Sequence, residues 1–199
     1  APTGESPRYV SIVRNISERR DAEIENYIQR TMLEHIHRVQ HDFISGIDNS
    51  IVFENLLNGF LDITESEYGL IGEVVYDNDN KPYLSVHHIT DIAWNEETQQ
   101  LYDENAKSGF EFRNLDSLFG HVLNSGKVVF SNEPATDSRS GGLPEGHPAM
   151  HSILGVPVYY GQDMVGMYGI ANRPGGYDEK LQRFLEPFDT TYGVIIHSR

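Results

Sequence analysis

ILGVPVYYGQDMVGMYGIA, residues 153–171, decides the fold. Ile153 to Tyr160 is a β-branched and aromatic run, Gly161-Gln162-Asp163 is a tight turn, and Met164 to Ala171 runs back. Two such runs joined by so short a turn form an antiparallel hairpin.

A second hairpin lies upstream. Tyr68 to Tyr76 reads as a strand, Asp77-Asn78-Asp79-Asn80-Lys81-Pro82 as a turn, and Tyr83 to Asp91 as the partner strand. Val128 to Phe130 adds a short strand. Between these units, Asn95 to Lys107 is polar and helical, and Leu115 to Ser125 is an amphipathic helix closed by Gly126. Asp178 to His197 is a final helix, bent at Pro187. The sum is an α+β plan: a central antiparallel β-sheet flanked by helices, the terminal helices together on one face.

The N-terminal part reads differently. Ala1 to Arg8 is polar and turn-rich, and Tyr9 to Ile16 alternates like a strand, with Ser17 capping the helix that follows. Apolar residues then recur at Ile24, Ile28, Met32, Ile36, Val39, Phe43 and Ile47, in steps of three or four. That is one continuous stripe on a long amphipathic helix. A stripe outside the main core calls for a partner helix, so a homodimer through the N-terminal and C-terminal helices is expected. Gly46 weakens the run, and Asp48-Asn49-Ser50 offers a cap for a second helix over 51–65.

Composition excludes several functions. The 199 residues contain no cysteine, so disulfides, zinc-thiolate sites, a cysteine nucleophile and a thioether-linked cofactor are all impossible in this chain. The formal net charge is -15, which argues against nucleic acid as a partner. No stretch is apolar enough to cross a bilayer and no leader opens the chain, so a cytoplasmic location without membrane insertion is expected. No phosphate-binding loop, zinc-protease helix or serine elbow occurs, and an enzymatic role is not expected.

Candidate binding residues fall in three places. The loop 132–152 is long for a compact domain. Within it, Asn132, Arg139, Ser140, Gly141, Gly142 and His147 offer backbone N–H groups and charge to an anion; a structural lid is the other reading. Trp94, Phe112 and Arg113 could wall a planar ligand, with core packing as the alternative for Phe110 and Phe112. Asn172 follows the last core strand, where a capped turn is the alternative. His87 and His88 are adjacent in a strand and are expected to face opposite sides. His37 and His41 lack a third ligand, so no metal site is expected.

The run from Leu118 to Pro187, with "LGVPV", a tight turn and "VGMYGIANRPGGYDE", resembles a GAF domain of bacterial sensor proteins, of the type found in histidine kinases and diguanylate cyclases. The preceding "YVSIVRNISERRDAE" resembles the last strand of a PAS domain. The resemblance implies a PAS remnant over 1–17, a signalling helix over 18–49 and a GAF domain over 50–199. It implies a pocket between the sheet and its loops for a small ligand such as a cyclic nucleotide or nucleobase. Asn172-Arg173 and Asp178-Glu179 keep a shortened version of the motif of cyclic-nucleotide-binding members. Related photoreceptors attach a bilin through cysteine, so a covalent bilin is excluded here. Two functions remain open: a two-component-type sensor whose ligand acts through paired helices on an output domain, and a ligand-free dimerisation and relay element.

Overall fold

The computed structural model describes residues 7–90, 110–142, 147 and 149–199, with side chains from residue 19 onward apart from Asp21. The elements in order are α1 (Pro7–Ile44), α2 (Asn49–Thr64), β1 (Tyr68–Tyr76), β2 (Pro82–Ile89), β3 (Phe110–Phe112), α3 (Leu118–Ser125), β4 (Val129–Ser131), β5 (Ile153–Tyr160), β6 (Asp163–Ala171), α4 (Glu179–Phe184) and α5 (Glu186–His197). Among the described residues the strands form one six-stranded sheet, ordered β3-β2-β1-β6-β5-β4, with every pairing antiparallel. Both expected hairpins are present: β1 pairs β2 and β5 pairs β6.

Each face of the sheet carries its own apolar cluster. On one face α1, α2 and α5 bury Met32, Ile36, Val39, Phe53, Leu56, Phe60, Phe188 and Tyr192 against Ile71, Tyr168 and Ile170. Phe60 stacks on Tyr168 at 3.9 Å and meets Phe188 at 4.8 Å. Each such side chain contributes roughly 1.5–3 kcal/mol on leaving water. On the other face α3 packs Leu118, Val122 and Leu123 against Val74, Leu84, Val129, Ile153 and Met167.

Helix ends follow local chemistry. The Asp48 side chain accepts from the Ser50 amide at the start of α2, and the Ser117 hydroxyl accepts from the Gly120 amide at the start of α3. Gly126 closes α3 with φ 63, a left-handed conformation that costs glycine little. The expected final helix is two helices that meet at Leu185, with Pro187 in the first turn of α5, where its missing N–H costs nothing.

Two expectations need correction. Residues 9–16 are helical, not a strand, and Ser17 lies inside α1 instead of capping it. Tyr9, Ile12, Val13 and Ile16 stand at i, i+3, i+4 and i+7, the spacing of a helix face, within the same run whose β-branched residues suggest a strand. A β-branched residue costs a helix only tenths of a kcal/mol, about 0.7 at most, and a helix pairs its own backbone where a lone strand cannot. Second, the apolar stripe is not outside the main core along its whole length. Met32, Ile36 and Val39 are buried against α2 and α5, whereas Ile24 is 50% exposed and Tyr27 71%. Phe110–Phe112, to which the sequence reading assigned no element, forms the edge strand β3, paired with Leu84–Val86. The helix expected over 95–107 lies outside the described residues.

Two polar bridges flank the apolar seam between α1 and α2. His35 Nε2 lies 3.5 Å from Asp62, and Asn55 donates to Asp42 at 2.9 Å. They fix the antiparallel register of the two helices, so the seam on α1 meets α2 in one alignment.

Candidate functional site

The face of the sheet under α3 is the candidate site. Its floor is unusually bare. Gly155 and Gly169 are direct cross-strand partners on β5 and β6. The ring of Phe119, from α3, lies on both: a Cβ at Gly169 would come within 2.5 Å of it, and one at Gly155 within 3.1 Å. Phe112 of β3 meets the Phe119 ring edge-on at 6.4 Å. Tyr68, Leu70, Val86, Leu115, Met150 and Met164 pack around this cluster. Among the described residues its interior is apolar, and Phe119 fills the flat slot that the two glycines leave.

The polar candidates surround this cluster and are held by other parts of the chain. Arg139 donates from Nε and Nη2 to the two carboxylate oxygens of Asp137, at 2.9 and 2.7 Å, and from Nη2 to the Phe130 carbonyl at 3.2 Å. The Arg139 side chain and backbone amide hold the Asp137 carboxyl well below the usual carboxylate range. Of the backbone N–H groups that were expected to cradle an anion, those of Ser140 and Gly142 are engaged inside the loop, as is that of Arg139. Arg139 N donates to Asp137 Oδ1, Ser140 N to the Asp137 carbonyl, and Gly142 N to the Ser140 hydroxyl. Gly141 packs against the Asp116 carbonyl so closely that a side chain has no room.

Two asparagines act as clamps. Asn132 pairs with the backbone of Tyr177 in both directions, donating at 3.0 Å and accepting at 2.8 Å. Asn172, at φ 61, accepts from the His151 amide at 2.8 Å and donates to Glu67 and to the Ala149 carbonyl. It ties β1, β6 and the loop before β5 together. Tyr177 in turn ends a buried hydroxyl chain through Ser66 to Thr64, with both links at 2.7 Å. Burial pushes the Tyr177 hydroxyl up to about 12, so it stays protonated.

The remaining candidates lie apart. Arg113 pairs with Glu111 at 2.7 Å and sits over the Tyr83 ring at 3.7 Å, beside β3. β3 and β4 are opposite edges of the sheet, roughly 24 Å apart at normal strand spacing. Phe112 and Arg113 therefore stand at one edge, Asn132 and Arg139 at the other, with Phe119 between. His147 is half-buried in the loop, and Trp94 lies outside the described residues. Among the described residues no three His, Asp or Glu side chains are grouped to hold a metal ion.

The histidine pair differs from expectation. Ile71 faces His88 and Gly72 faces Val86, which leaves His87 as an extra, bulged residue on β2. The bulge interrupts the alternation that would put the two rings on opposite faces. His87 stacks on Phe53 of α2 at 4.2 Å, and the carboxylate of Glu54, also on α2, acts on His88. Phe119 and this bulge were not anticipated. The glycines at 155 and 169, which alternate with large residues on neighbouring strands, were the available signal for the first.

Comparison with known proteins places this geometry. The family model described as GAF domain matches residues 48–197. The methyl sulfide methyltransferase-associated sensor of Methanosarcina acetivorans is 24% identical over 176 residues, covering 88% of this chain. The chain spans 17% of that relative's length. Among solved structures, the GAF domain of a phosphoenolpyruvate-protein phosphotransferase from Coxiella burnetii aligns with TM-score 0.64 at 12% identity, covering 85% of this chain and 94% of that one. The corresponding Acinetobacter domain gives TM-score 0.60 at 17% identity, covering 84% and 93%. Free methionine-R-sulfoxide reductase from Neisseria meningitidis, solved with its substrate, gives TM-score 0.62 at 9% identity, covering 85% and 88%. At these identities the structural likeness speaks for the fold alone.

Proposed function

Since the chain belongs to the GAF domain family, we propose that it is the small-molecule-sensing regulatory domain of a signal-transduction protein. A ligand binds on the α3 face of the sheet, and occupancy passes through α1 and α5 to an output domain. The observation that carries this reading is the apolar face over Gly155 and Gly169, where bare backbone lies under the Phe119 ring beside Phe112 and methionines; a planar ligand takes the place of that ring. Pockets for small molecules are mostly apolar with a few placed polar groups. Because the loop's charges are engaged with one another, an uncharged planar ring of the nucleobase kind suits the site better than a phosphate.

The role is regulatory, not catalytic. Reductases share the fold, but a chain without cysteine cannot run thiol redox chemistry on a residue of its own. The exposed N-terminal part of α1, with Ile24 and Tyr27, pairs with its copy in a second chain, so the output is read from a homodimer. A ligand biases that output only through its different affinity for two helix arrangements.

One observation favours a second reading, a ligand-free relay. Phe119 already fills the slot, as expected of a domain that has lost its ligand. Amide chemical shifts separate the two. Added adenine should move the Gly155, Phe119 and Gly169 signals if the slot binds a planar ring. Added phosphate moving only Gly141 and Gly142 would relocate the site to the loop. No movement with either, or with cyclic nucleotides, would favour the relay.

A further inference from the structure

The end of α5 is fastened to the sheet at two places: His197 stacks on Tyr160 of β5 with ring centroids 3.7 Å apart, and Arg199 reaches β2. Arg199 Nη1 lies 2.8 Å from His87 Nε2 and 3.7 Å from Glu73. Arginine has no acceptor, so Nε2 of His87 accepts and its ring proton sits on Nδ1. Burial and then the Arg199 charge lower the His87 imidazole to about 4, which keeps it neutral and able to accept. The ring is fixed from below by Phe53, stacked at 4.2 Å with 13° between planes. Arg199 lies 5.3 Å over the same Phe53 ring. One turn and more before the end of the helix, the Tyr192 hydroxyl donates to the Gly72 carbonyl, directly opposite the bulge.

The bulge exists because of both strands. A Cβ at Gly72 would come within 2.5 Å of the Ser85 carbonyl and 2.8 Å of Leu84, so only glycine lets β1 approach β2 there. Immediately before the bulge, Leu84 and Val86 pair with Phe112 and Phe110 of β3 and point into the α3 face. A single stretch of β2 thus has the candidate site on one side and the α5 fastening on the other.

We propose that the β2 bulge at His87 is a latch that couples the α3 face to the C-terminal end of α5. A shift of β3 and β2 driven from the α3 face moves the bulge, withdraws the His87 acceptor from Arg199 and loosens the β2 side of the helix end, leaving it held by the His197 stack on Tyr160. This rests on the sensing role proposed above, but its test needs no ligand, so failure of one is distinguishable from failure of the other.

The test is amide hydrogen exchange on the full chain, read at Ile195 to His197, with Ile153 to Val156 of β5, away from the Tyr160 contact, as the internal reference. His87→Phe keeps an aromatic ring on Phe53 and removes the acceptor. It should speed exchange at the helix end about 10-fold and leave that reference unchanged. Arg199→Met, which also removes the bond, should do the same. Phe112→Leu, made from the opposite face, should speed the helix end in the wild-type background and add nothing in the His87→Phe background. Unchanged exchange in His87→Phe and Arg199→Met would overturn the latch. Independent, multiplying effects of Phe112→Leu and His87→Phe would overturn the coupling.

Discussion

The Tyr192 hydroxyl donates to the backbone carbonyl of Gly72, in the interior, across 120 residues of sequence. It joins α5 to the strand carbonyl opposite the bulge and also reaches the Met167 carbonyl at 3.3 Å. Tyr192→Phe keeps the ring and leaves a buried carbonyl short of its donor. The expected loss is about 1–3 kcal/mol in urea unfolding, with an unchanged slope. A loss near zero would mean that water replaces the hydroxyl.

Asp189 gives the domain a pH dependence of its own. Its Oδ1 and the Tyr168 hydroxyl are both sealed from solvent, close enough to act on each other. Burial pushes the Asp189 carboxyl up to about 7, the Tyr168 hydroxyl opposing the shift and Glu186 adding to it. In the unfolded chain the same group titrates near 3.9. Between these values the folded state holds a proton that the unfolded state has lost. Its contribution is therefore most favourable below about 4 and is lost as pH rises to 7. Asp189→Asn should flatten the pH 4–7 limb and be more stable than wild type at pH 8, by an order of 1–3 kcal/mol. Thermal unfolding across that range checks it.

Asn172 does two jobs that substitution can separate. It holds φ 61 and makes three side-chain bonds. Asn172→Gly keeps the backbone and loses the bonds, and Asn172→Ala loses both. Alanine should cost about 1 kcal/mol more than glycine. Equal costs in chemical denaturation would show that the bonds alone matter.

The two halves of the α1 stripe should respond differently to charge. Ile36→Glu places a carboxylate in the core beside Val39 and Phe60, and should unfold the domain. Ile24→Glu with Tyr27→Glu falls on exposed positions. The pair should leave the melting temperature within a few degrees and convert a dimer to a monomer in light scattering. A dimer that persists would place the interface elsewhere.

The hairpins and helix ends were legible in the sequence because their signals are local: Gly161, the Asp77 to Pro82 turn, Asp48 and Gly126. The start of α1 was not, because Tyr9 to Ile16 joins the spacing of a helix face with β-branched residues that suggest a strand. β3 was missed because three residues carry no period, and their strand character depends on pairing with Leu84–Val86. At the site, Phe112 was readable as an apolar wall. The partners of Asn132 and Asn172 lie as far as 45 and 105 residues away, beyond any local pattern. The bulge that aligns His87 with Phe53 depends on a glycine of the neighbouring strand, and no spacing within β2 announces it.

The most direct test of the sensing role is a thermal-shift panel on the purified chain, comprising adenine, guanine, cyclic nucleotides, phosphate and a tetrapyrrole. A ligand at 100 times its dissociation constant stabilises by about 2.7 kcal/mol, which is roughly 5–10 °C for a domain of this size. An uncharged planar ring should raise the melting temperature, and Phe112→Leu should abolish the rise. No rise with any planar compound, or a rise that Phe112→Leu leaves intact, would contradict a sensing site on the α3 face.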